Sequence, residues 1–225
     1  VLRAIVFDFD GVIANSEPLH FRAFREVLAE SGVELSESDY YAKYLGYDDV
    51  GVFHAVAQDH GLSWNSGVVA AFVSSKAVRL DVLARDGAVL FPGAEAAIRR
   101  AAAATPLAIA SGALGAEIRH VLRREGLTDC FQAIVAAEDT PVSKPAPDPY
   151  VRAVALLAIA MRSPLRPSDC VALEDSPWGL QSARTAGLRT VAVAQTYARG
   201  ELEADLVIPT LSDLDVDALA RLFPA

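Results

Sequence analysis

Two aspartates, Asp8 and Asp10, flank Phe9 directly after the apolar run Ala4-Ile5-Val6-Phe7, and Gly11 follows them. Three further polar groups stand at the ends of later apolar runs. Ser111 follows Pro106–Ala110, Lys144 lies in a proline-rich loop after Gln132–Ala136, and Glu174-Asp175 close Cys170–Leu173. Taken singly, each has a plain explanation. Aspartate and serine cap helices and turns, and an isolated lysine is usually solvated. Taken together they form a set suited to phosphoryl transfer. An aspartate such as Asp8 is ionised at neutral pH and needs no separate base to act as a nucleophile. Its attack on phosphorus gives a mixed anhydride that water can cleave. Asp10, two residues on, is placed to protonate the leaving oxygen and then to take a proton from water. Lys144 and the Ser111 hydroxyl are suited to the remaining phosphate oxygens, with backbone N–H groups of Gly11 and Gly112 at helix-starting turns. So many carboxylates repel one another and an anionic substrate, and a hard divalent cation with oxygen ligands, Mg2+, resolves that.

These groups need a scaffold that brings successive strand ends to one edge. Ala4–Phe7 reads as a strand buried on both faces. From Phe91 onward strands and helices alternate: helix 94–104, strand 106–110, helix 114–126, strand 132–136, helix 149–161, strand 170–173, helix 177–186, strands 190–194 and 206–208. This predicts an α/β, Rossmann-like parallel sheet with helices on both faces, and such sheets bind ligands at the C-terminal strand ends. Residues 16–88 break the pattern. They hold a helix over His20–Ser31, with Glu17-Pro18 as its first turn, and then short helices without a convincing strand. The predicted division is an α/β core of residues 1–15 and 89–225 with an inserted helical domain of residues 16–88.

The 225-residue chain is 52% hydrophobic and carries 20 basic against 29 acidic residues, a net charge of −9. That balance argues against nucleic acid or an anionic membrane as partner. The expected partner is a small phosphorylated metabolite, whose anion requires cations local to its site. No apolar run reaches a membrane span and nothing resembles a signal peptide, so a cytoplasmic, monomeric protein is expected. Cys130 and Cys170 fit no zinc spacing and are expected to be buried reduced thiols.

The full set of motifs resembles the haloacid dehalogenase superfamily. Asp8-Phe9-Asp10-Gly11-Val12 matches its first motif, Ser111 in Ile-Ala-Ser-Gly its second, Lys144 in Lys-Pro-Ala-Pro-Asp-Pro-Tyr its third, and Glu174-Asp175-Ser176-Pro177-Trp178-Gly179 its fourth. The resemblance spans essentially the whole chain and implies Asp8 as nucleophile, Asp10 as acid/base, and Ser111 and Lys144 as phosphate ligands. It implies Mg2+ held by Asp8, the Asp10 carbonyl, Asp175 and Glu174, and the helical insertion as a cap over the site. Hinges are expected at Ser16-Glu17-Pro18 and Leu90-Phe91-Pro92-Gly93. The branch most similar is that of β-phosphoglucomutase and phosphoglycolate phosphatase. His20-Phe21-Arg22-Ala23-Phe24 and Lys76 resemble cap residues of the mutase branch, which makes His20 and Lys76 candidate substrate contacts. The mutase cap carries an arginine shortly after a glycine, whereas Gly46 here is followed by Tyr47, Asp48, Asp49 and Val50.

The resulting expectation is a Mg2+-dependent phosphatase acting on a small phosphate monoester, a sugar phosphate or phosphoglycolate-like, through an aspartyl-phosphate. A β-phosphoglucomutase-like sugar phosphomutase is the alternative, disfavoured by the absent arginine. A 2-haloacid dehalogenase would need neither Asp10 nor a metal, and a non-catalytic phosphate-binding module would not need the full set. Trp178 is expected to pack its helix onto the sheet, and Arg119, Arg123 and Arg124 to form a solvated helix face.

Overall fold

The computed structural model describes residues 1–45, 47–87 and 89–223, with backbone only at 85–87 and 89. In chain order the elements are β1 (Ala4–Phe7), β2 (Ala14–Asn15), α1 (Glu17–Glu30), α2 (Glu37–Asp39) continued by a π-helical turn Tyr40–Tyr44, α3 (Asp49–Asp59) and α4 (Ser66–Gly87). They continue with β3 (Val89–Leu90), α5 (Ala94–Ala104), β4 (Leu107–Ala110), α6 (Gly115–Arg124), β5 (Ala133–Val135), α7 (Asp148–Ala160), β6 (Cys170–Glu174), α8 (Pro177–Thr185), β7 (Arg189–Val193), β8 (Leu206–Ile208) and α9 (Val216–Ala220). The chain divides into two compact units, Val1–Asn15 with Val89–Ala225, and Ser16–Ala88.

The first unit holds a six-stranded sheet in the order β5-β4-β1-β6-β7-β8, and every neighbouring pair is parallel. Alternate strand residues point to opposite faces, and all four residues of β1 are fully buried, so both faces are covered. On one face small residues (Ala4, Ala108, Ala110, Ala172) make room for α7, which packs Tyr150, Ala153, Val154 and Leu157 against them. Chain order runs from β1 outward through β4 to β5, then returns to β6 on the other side of β1. The crevice at the C-terminal ends of β1 and β6 is therefore a topological switch point, where such sheets bind ligands.

The predicted strands and helices of this unit are present, shifted by one or two residues at their ends. The two-residue strands β2 and β3 were not foreseen. They pair antiparallel, Ala14 with Leu90 and Asn15 with Val89. Leu90 is thus a strand residue, and the segment expected as a second hinge lies inside the α/β unit rather than between units. α9 was also unforeseen. At five residues it is too short for helical periodicity to show.

The second unit is helical. Phe21, Phe24, Val27 and Leu28 of α1 pack with Tyr40, Val52, Phe53, Val56 and Val69 in one apolar cluster. Asp48 caps α3 by accepting from the Gly51 N–H at 2.7 Å. Among the described residues no helix is long and apolar enough to cross a membrane.

Candidate active site

The crevice beyond β1 and β6 collects the strand-end residues. Asp8 remains part of the sheet, its N–H donating to the Leu173 carbonyl at 2.9 Å. Its carboxylate meets Lys144, whose Nζ lies 2.7 Å from Asp8 Oδ1 and 2.6 Å from Glu174 Oε1. Lys144 is therefore no solvated lysine; its side chain is 11% exposed. The ammonium also lies 5.0 Å from the centre of the Tyr150 ring. Asp8, Glu174 and Asp175 offer carboxylate oxygens within 4.8 Å of one another.

Glu174 is fully buried and heavily bonded. Besides Lys144 it accepts from the Tyr150 hydroxyl at 2.9 Å, the Asp175 and Ser176 N–H groups at 3.1 and 3.3 Å, and the Ser176 hydroxyl at 3.1 Å. A carboxylate has about four lone-pair sites, so these donors occupy its capacity. Glu174 thus holds Lys144 in place while standing with Asp8 and Asp175 in the carboxylate cluster. The packing is tight enough to dictate sequence: a Cβ at Gly179 would lie 1.9 Å from Glu174 Oε1. Ser176 caps α8, accepting from the Gly179 N–H at 3.2 Å, and so ties that helix to the same carboxylate.

Electrostatics follow from burial. Removal from water, together with Glu174 and Asp10, pushes the Asp8 carboxyl up to about 7 against the pull of Lys144. Burial and the neighbouring Glu174 and Asp8 raise Asp175 well above the usual carboxylate range. Burial works to discharge Lys144, but Asp8 and Glu174 outweigh it and hold its ammonium above the ordinary lysine range. One ammonium among several buried carboxylates leaves an excess of negative charge. The donors are all oxygen, which suits a hard divalent cation such as Mg2+.

A cavity of about 270 Å³ opens over this cluster, lined among others by Asp8, Asp10, Ser111, Gly112, Lys144 and Trp178. The Ser111 hydroxyl accepts from the Ala113 N–H at 3.0 Å, which leaves its proton to donate into the cavity. Two expectations change here. The Gly11 N–H, expected to face phosphate, donates to the Ala14 carbonyl at 2.9 Å. Gly11 serves instead through its conformation, φ 77°, with its Cα against Asp175. Trp178, expected to pack its helix onto the sheet, is 40% exposed, lines the cavity and meets Tyr197 edge-on. Tyr150, Ser143 and Thr140 also belong to this region and were not singled out from sequence. A tyrosine five residues into a proline-rich stretch after Lys144 was the available signal for the first.

The remaining candidates lie in the helical unit. Lys76, expected to face a substrate, is 2% exposed and turned inward, 2.7 Å from Asp49 Oδ1, 3.1 Å from His20 Nδ1 and 4.7 Å from the Phe24 ring centre. Asp48 and Asp49 both have partners, a helix N-terminus and Lys76. Gly46, with which the comparison to the mutase cap began, lies outside the described residues. Arg119, Arg123 and Arg124 are exposed, and both cysteines are buried and unpaired, burial pushing the Cys170 thiol up to about 12.

Comparison with known proteins agrees with the motifs. A family model for haloacid dehalogenase-like hydrolases matches residues 2–187. The chain belongs to this family. It is 33% identical over 232 residues to the protein CbbY of Rhodobacter capsulatus, covering 98% of this chain and 99% of the relative. It is 30% identical over 221 residues to hexitol phosphatase B of Escherichia coli K12, covering 95% and 94%. Among solved structures, a mutant of CbbY from Rhodobacter sphaeroides in complex with xylulose-(1,5)bisphosphate superposes with a TM-score of 0.73 at 28% identity, covering 95% of this chain and 96% of that one.

Proposed function

We propose that this hydrolase is a Mg2+-dependent phosphatase that cleaves a small phosphate monoester of the sugar-phosphate or phosphoglycolate type through an aspartyl-phosphate on Asp8. The observation that carries the reading is the buried cluster at the switch point, where Lys144 bridges Asp8 and Glu174 at 2.7 and 2.6 Å beside Asp175. The phosphatase name borne by one relative points the same way.

In this reading an Asp8 carboxylate oxygen attacks phosphorus and the bond from phosphorus to the ester oxygen breaks. Asp10 gives its proton to the departing alkoxide. Water then attacks the phosphorus of the acyl phosphate, its proton passing to Asp10, and the bond to Asp8 breaks to restore the carboxylate. The products are the alcohol and inorganic phosphate. Lys144 and the Ser111 hydroxyl hold peripheral phosphate oxygens and stabilise the charge that spreads over them. Asp8, Asp175, Glu174 and the Asp10 carbonyl are the groups assigned to Mg2+, and Glu174 also keeps Lys144 in register. When bound, the cation neutralises the carboxylate excess and polarises the phosphoryl group. The helical unit is assigned the role of a cap that selects the substrate and excludes bulk water during transfer.

A second reading, hydrolysis of a sugar bisphosphate, is favoured by the bisphosphate bound to the CbbY relative. Against it, and against a mutase, stands the commitment of Lys76 to Asp49. Phosphate release from a panel of sugar mono- and bisphosphates and phosphoglycolate, with and without Mg2+, tests the two hydrolytic readings. The expected result is Mg2+-dependent release, fastest from a monophosphate. Release from no member, or release indifferent to chelation, would contradict it.

A further inference from the structure

Gln195-Thr196 follows β7 and lies outside the four motifs, yet both side chains reach the candidate site. Gln195 uses both ends of its amide. Nε2 donates to the carbonyls of Gly11 and Val12 at 3.1 and 3.2 Å, and Oε1 accepts from the Leu211 N–H at 2.9 Å. One side chain thereby ties the turn after Asp10 to the segment after β8. The Asp10–Gly11 peptide is planar and trans, so its carbonyl points opposite to the Gly11 N–H, which is fixed on Ala14 at 2.9 Å. Gln195 fixes the next peptide along the chain. With two successive peptides held, the direction of the Asp10 carbonyl is set.

Thr196 acts on the other side of the same turn. Its hydroxyl and the Asp175 carboxylate both stand against Gly11, and the hydroxyl favours the charged form of Asp175. A Cβ at Gly11 would lie 1.9 Å from Asp175 Oδ2 and 2.9 Å from Thr196 Oγ1, so turn, carboxylate and hydroxyl are in close contact. Adjacent residues thus stand against two segments of the crevice, one after β1 and one after β6.

We propose that Gln195 and Thr196 are a pair of positioning residues that set the spacing and direction of the Asp10 carbonyl and the Asp175 carboxylate for a divalent cation. The inference rests on the Mg2+ reading of the site. Hydrogen bonds to metal-ligating groups commonly govern affinity by about 10- to 100-fold. A role confined to holding the fold would alter melting without altering metal affinity in the folded protein.

The test is calorimetric titration of Mg2+ alone into the full chain, with the melting midpoint of each metal-free protein recorded beside it. Thr196→Val removes the hydroxyl at nearly constant shape, Thr196→Ser keeps it, and Gln195→Glu keeps the acceptor for Leu211 while losing both donors. The expected result is Mg2+ affinity weakened about tenfold in Thr196→Val and Gln195→Glu, restored in Thr196→Ser, with a folded protein in each case. Should Gln195→Glu fail to fold, the Thr196 pair decides alone. Wild-type uptake of Mg2+ matched within about twofold by Thr196→Val and any folded Gln195→Glu would overturn the pairing role and leave the Mg2+ reading standing. Absence of uptake by the wild type would remove the Mg2+ reading itself, and the inference with it.

Discussion

Lys144 is held by two carboxylates, and the two differ in what they do. Asp8 faces the cavity, whereas Glu174 is fully enclosed and anchored by Tyr150, Ser176 and two backbone N–H groups. Glu174 is thus the fixed end of the bridge and Asp8 the reactive end. Removing the fixed end leaves a buried ammonium with half its compensation. Breaking a buried ion pair from one side costs about 3–5 kcal/mol. Glu174→Ala is expected to lose about that much stability in urea denaturation, and to lose turnover with it. A loss below about 1 kcal/mol would mean that the bridge is not the anchor described here.

At the scale of elements, the strand ends place the chemistry and α8 locks it. Gly179 lies in the first turn of α8, where alanine in isolation would stabilise a helix by about 1 kcal/mol. Here the added Cβ would fall 1.9 Å from Glu174 Oε1. Overpacking of this kind costs about 1–3 kcal/mol, so Gly179→Ala is expected to lower the denaturation midpoint despite its better propensity. A raised midpoint would show that the carboxylate can move aside. This layer was only partly legible in the sequence. Asp8, Asp10, Ser111, Lys144 and Glu174-Asp175 could be read because each follows an apolar run, and periodicity reports where such runs end. Gln195 and Thr196 could not, because Gln195 bonds residues 16, 183 and 184 positions away and no local pattern encodes a bond across the sheet. The pairing of β2 with β3 was invisible for a similar reason: two residues are too few to alternate, and the pair forms across 73 intervening residues, 16–88. The inward turn of Lys76 required knowing that Asp49 and His20 stand beside it.

Across the whole molecule, a titratable core divides the two units in their response to acid. In the helical unit burial, and then the Lys76 ammonium, push His20 down to about 3, so this imidazole stays neutral in the folded protein. An unfolded histidine binds its proton near 6.5. Between those values the unfolded chain holds more protons, and stability falls as pH falls below about 6.5. Wild type is expected to lose about 2 kcal/mol more than His20→Asn between pH 7 and pH 5 in urea denaturation. Equal losses would show that His20 is protonated in the folded unit. In the α/β unit the decisive event is covalent, because every assigned role depends on Asp8 accepting the phosphoryl group. The most direct measurement is mass spectrometry of enzyme quenched in acid during turnover of its best phosphate ester in Mg2+. The expected result is a phosphoryl group on the peptide that contains Asp8, absent from Asp8→Asn, which should also release no phosphate. Full turnover by Asp8→Asn, or a phosphoryl group found on another residue, would contradict it.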